Sequence, residues 1–257
     1  MGLWTVEHVI TLVPTFLLML LISLFMRKLL INKTFEIRML PIKIIAVVIV
    51  VIEIGKQICS ALRGYDLYHI PLHFCSIFVF ILPIIAFYRA KGQEHLRSVG
   101  CAAMLSLFFG MLLMPNVIYS SNRLYTFFTD YLSFHTVFVH NLVIFAFFLV
   151  LALDLHKSEA TKSEILFISA FGGGFVALSA TMSHVLKTNF SNFLYSTVGF
   201  VADLVEQLKA SVGETLVTVI YTVVLCILHV LLLIITNYLF KQLCTAKDKV
   251  LKYIFKE

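Results

Sequence analysis

Charge is what this sequence has least of. Only 13% of its 257 residues are Asp, Glu, Lys or Arg, where an ordinary soluble domain carries about 25%. That shortage, with 60% hydrophobic residues and a mean hydropathy of +0.98, excludes a soluble globular chain and a disordered one. No CxxC spacing occurs among Cys59, Cys75, Cys101, Cys226 and Cys244, which argues against a zinc or thioredoxin-like site. HExxH is absent too, so no metal and no cofactor is expected. There is no Gly-rich phosphate loop, because Gly172, Gly173 and Gly174 lie inside an apolar run. The last apolar segment has no lysine for a Schiff base, which excludes a retinal pigment. The start, MGLWTVEHVI, has no basic stretch, and Val6 breaks the myristoylation pattern. Neither a cleaved signal peptide nor that lipid anchor is expected.

What the chain has is apolar length. Seven segments are each about long enough to span a bilayer: 6–26, 40–58, 70–88, 96–114, 132–153, 163–183 and 214–240. Backbone in lipid must satisfy itself, so the runs predict an all-α polytopic membrane protein with one integral domain over 1–257. They are too long and too evenly apolar for barrel strands. The charges give the topology. Arg27, Lys28, Lys33 and Arg38 follow the first segment; Arg89, Lys91 and Arg97 follow the third. Lys157 and Lys162 follow the fifth; Lys241, Lys247, Lys249, Lys252 and Lys256 follow the seventh. The other side holds only Arg63, Arg123, Lys187 and Lys209, while Lys43 and Lys56 fall inside segment two. Positive-inside logic then predicts seven helices, N-terminus out and C-terminus in. The +6 net charge is thus a matter of topology, and no nucleic-acid partner is expected. Between 190 and 210, Leu194, Val198, Val201, Val205 and Leu208 recur among polar residues, which predicts an amphipathic helix in the outer interface.

Topology gives each polar residue a depth. Glu53 and Lys56 fall in the outer half of segment two, three residues apart and able to pair. His73 and Cys75 open segment three; Asn116 follows the end of segment four. His135, His140 and Asn141 open segment five, and His184 ends segment six. Ionisable groups in membrane helices are costly and mark cavities, so a polar cavity open to the outside is expected. Cys75 is a candidate nucleophile, and a thiolate paired with an imidazole is an acyl-transfer arrangement. His73, at i−2, is a poor base on a regular helix; His140 or His135 suits the depth better.

The run IPLHFCSIFVFILPI (70–84) resembles the opening of helix three in the YwaF-type bacterial membrane proteins, a family similar to eukaryotic transmembrane protein 164. Pro71, His73 and Cys75 match in order and spacing. FFGMLLMPN (108–116) resembles the end of that family's helix four, and LSFHTVFVHNLVIFAFFLVLAL (132–153) its histidine-bearing helix five. The resemblance implies seven helices, a bacterial plasma membrane and membrane phospholipids as partners. It also implies a cysteine-dependent lipid acyltransferase or acyl-ester hydrolase, with Cys75 as nucleophile and His140 as general base. His73, Glu53, Lys56, His135, Asn141, Asn116 and His184 are expected to line the site. Two other readings stand beside it: a small-solute or proton-coupled transporter built on Glu53, Lys56 and the histidines, and a non-catalytic lipid-binding membrane partner.

Overall fold

An apolar chain must close its own backbone hydrogen bonds, and this one does so with helices. A computed structural model describes residues 4–89 and 92–255, and among them there is no strand. Lys91 and Lys256 of the charge pattern lie outside the described residues, as does the side chain of Lys252. The helices in order are α1 (Val6–Leu30), α2 (Phe35–Arg38), α3 (Leu40–Leu62), α4 (Ile77–Phe87), α5 (Gln93–Leu113), α6 (Ser121–Tyr125), α7 (Tyr131–Ala152), α8 (Lys162–Leu186), α9 (Gly199–Val212) and α10 (Glu214–Phe255). By length and composition α1, α5, α7, α8 and the stretch Glu214–Val250 of α10 suffice to cross a membrane. α3 has 23 residues and carries Glu53, Lys56 and Gln57. A shorter apolar helix covers Phe74–Phe87.

Local chemistry sets several helix starts. Thr5 N–H donates to His8 Nδ1 at 3.0 Å, closing a capping box on α1. Asp130 accepts from Ser133 N–H at 2.9 Å and starts α7. Thr161 and Glu164 cap α8 reciprocally. Pro41 sits in the first turn of α3, where its missing N–H costs nothing.

α5 is the most buried of the five long apolar helices and forms the centre. Its small residues Gly100, Cys101, Ala102 and Ala103 admit close neighbours; a Cβ at Gly100 would lie 2.3 Å from Ile85 Cδ1. Ile42, Ile49, Phe78, Leu82, Met104, Val143 and Phe147 complete this core. α1 and α10 instead expose Leu17, Leu18, Leu21, Phe25, Val219, Val223 and Ile227. Apolar exposure on that scale marks a surface made for lipid.

Contacts at the two ends give the chain directions. Arg63 past the end of α3 pairs with Asp130 before α7, at 2.9 Å, while Arg38 before α3 donates to Leu153 O past α7. α3 and α7 therefore run antiparallel. His184 near the end of α8 meets Thr222 near the start of α10, so these two are antiparallel as well. Gly172 lets them approach, since a Cβ there would sit 2.5 Å from Leu233 Cδ1. Three expected features change. Segment three is helical only from Phe74, because Ile70–His73 forms an irregular approach whose bonds go to other elements. The amphipathic helix expected at 190–210 begins at Gly199, after the short 3-10 turn Phe190–Asn192, and ends at Gly213 with φ +110°. α10 continues to Phe255, about 20 residues beyond a span of roughly 30 Å.

Candidate functional site

Glu53 organises the polar end of α3. It is 5% exposed, and its carboxylate accepts only. Oε1 takes Lys56 Nζ at 2.7 Å and Gln57 Nε2 at 2.6 Å. Oε2 takes His135 Nε2–H at 2.8 Å from α7. Lys56, 8% exposed, is thereby neutralised by its partner three residues earlier. Gln57 extends the network: Nε2 also donates to His69 O at 2.8 Å, and Oε1 accepts Tyr65 Oη–H at 2.6 Å. Ser60 Oγ pairs with His69 Nδ1 at 2.8 Å. The approach of α3 to α7 depends on Gly55, where Tyr131 crosses and donates to Ile52 O at 3.0 Å. At the rim burial works against the Asp130 charge, but the Arg63 guanidinium and the Ser133 N–H hold its carboxyl below the ordinary range.

Cys75 belongs to a short 3-10 turn, Phe74–Ser76, that leads into α4. Its sulfur lies beside its own backbone N–H and the Ser76 hydroxyl, within electrostatic reach of Lys56 and Glu53. His73 caps this turn. Its Nδ1 accepts from Ser191 N–H at 3.3 Å and its Nε2 faces Tyr68 O at 3.2 Å. A backbone N–H only donates and a carbonyl only accepts, so the proton sits on Nε2 and both nitrogens are engaged. His73 has no free lone pair for Cys75, whatever the helical register.

His140 differs. Its Nδ1–H donates to Thr136 O at 2.6 Å, one turn back on α7. The neutral ring therefore presents an Nε2 lone pair. His140 is coupled electrostatically to His135 and His73. No hydrogen bond joins it to Cys75 among the described residues. The two α7 histidines thus join one polar region, although five residues separate them.

The other expected site residues lie elsewhere. Asn141 Oδ1 accepts Tyr119 Oη–H at 2.6 Å, and Tyr119 O accepts His8 Nε2–H at 2.9 Å. Asn141 ties α7 to the segment after α5 and to α1. His184 Nε2–H donates to Thr222 Oγ1 at 2.9 Å, and Thr222 in turn donates to Thr218 O. Asn116 is exposed in the turn Pro115–Val117. Glu53, Lys56, Gln57 and His135 satisfy one another in a packed network. The crevice behind Phe74, between Ser179, Ser191 and His229, is too narrow for a water molecule. A polar cleft of about 530 Å³ lies at the opposite end, between Arg89, Glu94, Arg97 and Lys157. No group of three or more His, Cys, Asp or Glu suited to a metal ion occurs among the described residues.

Sequence reasoning missed Ser191, His69 and Tyr65. Ser191 meets His73 and Phe74 across more than a hundred residues, and no spacing signals such a contact. The sequence matches the model of the TMEM164 family over residues 3–238. No curated protein and no solved structure matches.

Proposed function

We propose, from the premise that this chain belongs to the TMEM164 family, that it is an intramembrane lipid acyltransferase or acyl-ester hydrolase acting through Cys75. The observation that carries the reading is the setting of Cys75. Its sulfur sits at a helix start beside Ser76, within reach of Lys56, in the polar region that holds a histidine with a free Nε2. A buried thiol is a weak nucleophile until a base takes its proton, and the free Nε2 of His140 is the base this reading assigns.

In the first step Cys75 Sγ attacks the carbonyl carbon of a phospholipid acyl ester, and His140 Nε2 receives the thiol proton. The ester C–O bond breaks, and the departing lysolipid oxygen takes that proton. The acyl group is left as a thioester on Cys75. A second hydroxyl, from a lysolipid or from water, gives its proton to His140 and attacks the thioester. Its collapse returns the thiol. Lys56 and His135 face the headgroup side.

In this reading the chain crosses the bilayer seven times, by α1, α3, the helix Phe74–Phe87, α5, α7, α8 and α10, and a lipid substrate reaches the site from the bilayer; the five helices long and apolar enough to span support it. Arg27, Arg38, Arg97, Lys157 and Lys247 gather at the end away from Cys75. Positive-inside logic makes that end cytoplasmic, with Cys75 toward the outside. The setting is a bacterial plasma membrane, from the YwaF-type resemblance of the helix-three motif.

The test is turnover of a labelled phospholipid by purified protein in nanodiscs, with mass analysis of the Cys75 peptide. Wild type should give lysolipid and an acylated Cys75 peptide; Cys75→Ala should give neither at equal protein. Turnover retained in Cys75→Ala overturns the mechanism. The buried Glu53–His135 bond favours a second reading, proton-coupled transport. In that case Glu53→Gln abolishes flux in proteoliposomes and Cys75→Ala does not.

A further inference from the structure

The segment around Cys75 is held mostly by groups distant in sequence. Leu72 O accepts the Ser179 hydroxyl of α8 at 2.6 Å, a bond that is fully buried. His73 Nδ1 accepts the Ser191 N–H, and the Phe74 N–H donates to Ser191 Oγ at 2.7 Å. Phe190, fully buried, lays its ring edge-on to His73 with centroids 5.4 Å apart. Ser191 thus grips two consecutive residues with two different atoms, one turn-forming residue away from the thiol.

Ser191 itself is held in an unusual conformation. Its φ is +49°, in the left-handed region that costs a non-glycine residue energy. The surrounding turn fixes it there. Ser183 bonds both the N–H and the C=O of Phe190. Tyr221 on α10 donates to Asn192 O at 2.8 Å. Asn189 Oδ1 accepts from Leu194 N–H and Tyr195 N–H. Strain kept by so many bonds points to a positional demand.

The demand is legible in the donors at the helix start. Of the three N–H groups in Phe74–Ser76, that of Ser76 goes to His73 O and that of Phe74 goes to Ser191 Oγ. The Cys75 N–H bonds to no other residue among the described residues and lies beside its own sulfur.

We propose that Ser191 is a positioning residue for Cys75: its hydroxyl takes the Phe74 N–H and its backbone fixes His73, so that the Cys75 thiol and N–H stay aligned. The inference rests on the reading of Cys75 as nucleophile, and its first readout is independent of turnover. Full-length protein in nanodiscs is treated with N-ethylmaleimide, and each cysteine peptide is followed by mass spectrometry. Cys59 and Cys226, both half-buried, serve as internal references.

Ser191→Ala removes the hydroxyl and keeps the strained backbone; Ser191→Gly removes both hydroxyl and strain. Both variants should change the Cys75 alkylation rate by about five-fold, the factor one hydrogen bond is worth, with Cys59 and Cys226 unchanged. In the turnover assay kcat should fall with KM held. An unchanged Cys75 rate in both variants overturns the proposal. A rate altered in Ser191→Ala and restored in Ser191→Gly assigns the effect to backbone strain and overturns the role of the hydroxyl. If the rate shifts as expected but wild type shows no turnover, the positioning stands and the catalytic reading fails.

Discussion

Glu53 shows how one residue makes a polar cluster tolerable in an apolar helix. A carboxylate in lipid is costly, and Glu53 meets that cost with three donors, from Lys56, Gln57 and His135. The arrangement predicts strong coupling. Glu53→Ala leaves the Lys56 charge buried without its partner and should lower stability by about 3–5 kcal/mol. The double variant Glu53→Ala, Lys56→Met removes both charges and should recover most of the loss. Thermal unfolding in one detergent measures the cycle; additive losses would mean that the two side chains do not depend on each other. The residue types at this site were readable in the sequence, since Glu53, Lys56, His73, Cys75, His135 and His140 fall at one depth. Their partners were not. Spacing on α3 makes the Glu53–Lys56 pair visible, but the choice of His135 depends on how α3 and α7 pack. The same packing sends Asn141 to Tyr119 and His184 to Thr222.

At the scale of the element, glycines separate the helix contacts that matter from those that do not. A Cβ at Gly55 would lie 2.1 Å from Tyr131 Oη, at the crossing of α3 and α7. At Gly172 the obstacle is Leu233 Cδ1 at 2.5 Å, the far end of a flexible side chain; at Gly174 nothing lies within 4 Å. Gly55→Ala should therefore cost about 1–3 kcal/mol, the usual penalty of overpacking. Gly172→Ala should cost less, and Gly174→Ala nothing measurable. Melting of the three variants side by side tests the order, and a Gly174→Ala loss as large as that of Gly55→Ala would refute it. Long helices announce themselves because apolar length is a local property of the chain. Ile70–His73 and Asn189–Asn192 do not, because the bonds that join them to the rest of the fold, Ser179 to Leu72 O, Ser191 to His73 and Phe74, and Tyr221 to Asn192 O, run to residues far away in sequence. The extension of α10 was hidden for another reason. Charge after Phe240 reads as a loop, whereas Leu243, Ala246 and the lysines are good helix formers with no Gly or Pro among them.

Across the whole molecule, one loop residue gathers the end opposite Cys75. Asp154, just past α7, accepts Arg27 of α1 at 2.7 Å and is paired with Lys247 of α10, while Arg38 before α3 reaches the adjacent Leu153 O. Three parts of the chain thus converge on Leu153 and Asp154. Asp154 adopts φ +50°, a conformation Asp tolerates better than most residues. Burial pushes its carboxyl pKa up, but Lys247 and Arg27 outweigh burial and hold it below the ordinary value. A depressed carboxyl favours the fold only while ionised. Its contribution is complete above the unfolded pKa of about 4 and disappears as pH falls through the lower folded value. The melting temperature of wild type in detergent should therefore drop as pH is taken from 5 toward 2 (on the order of those limits). Asp154→Asn should melt lower at neutral pH and lose less over the same descent, because the titrating group is gone. Equal acid sensitivity in the two proteins would move the hub elsewhere, and Arg27→Gln would then be expected to leave the neutral-pH melting temperature unchanged. Cysteine alkylation under the same conditions separates the two ends: loss of the Asp154 ties should open Cys244, buried against His156 O at 3.9 Å, before it alters Cys75.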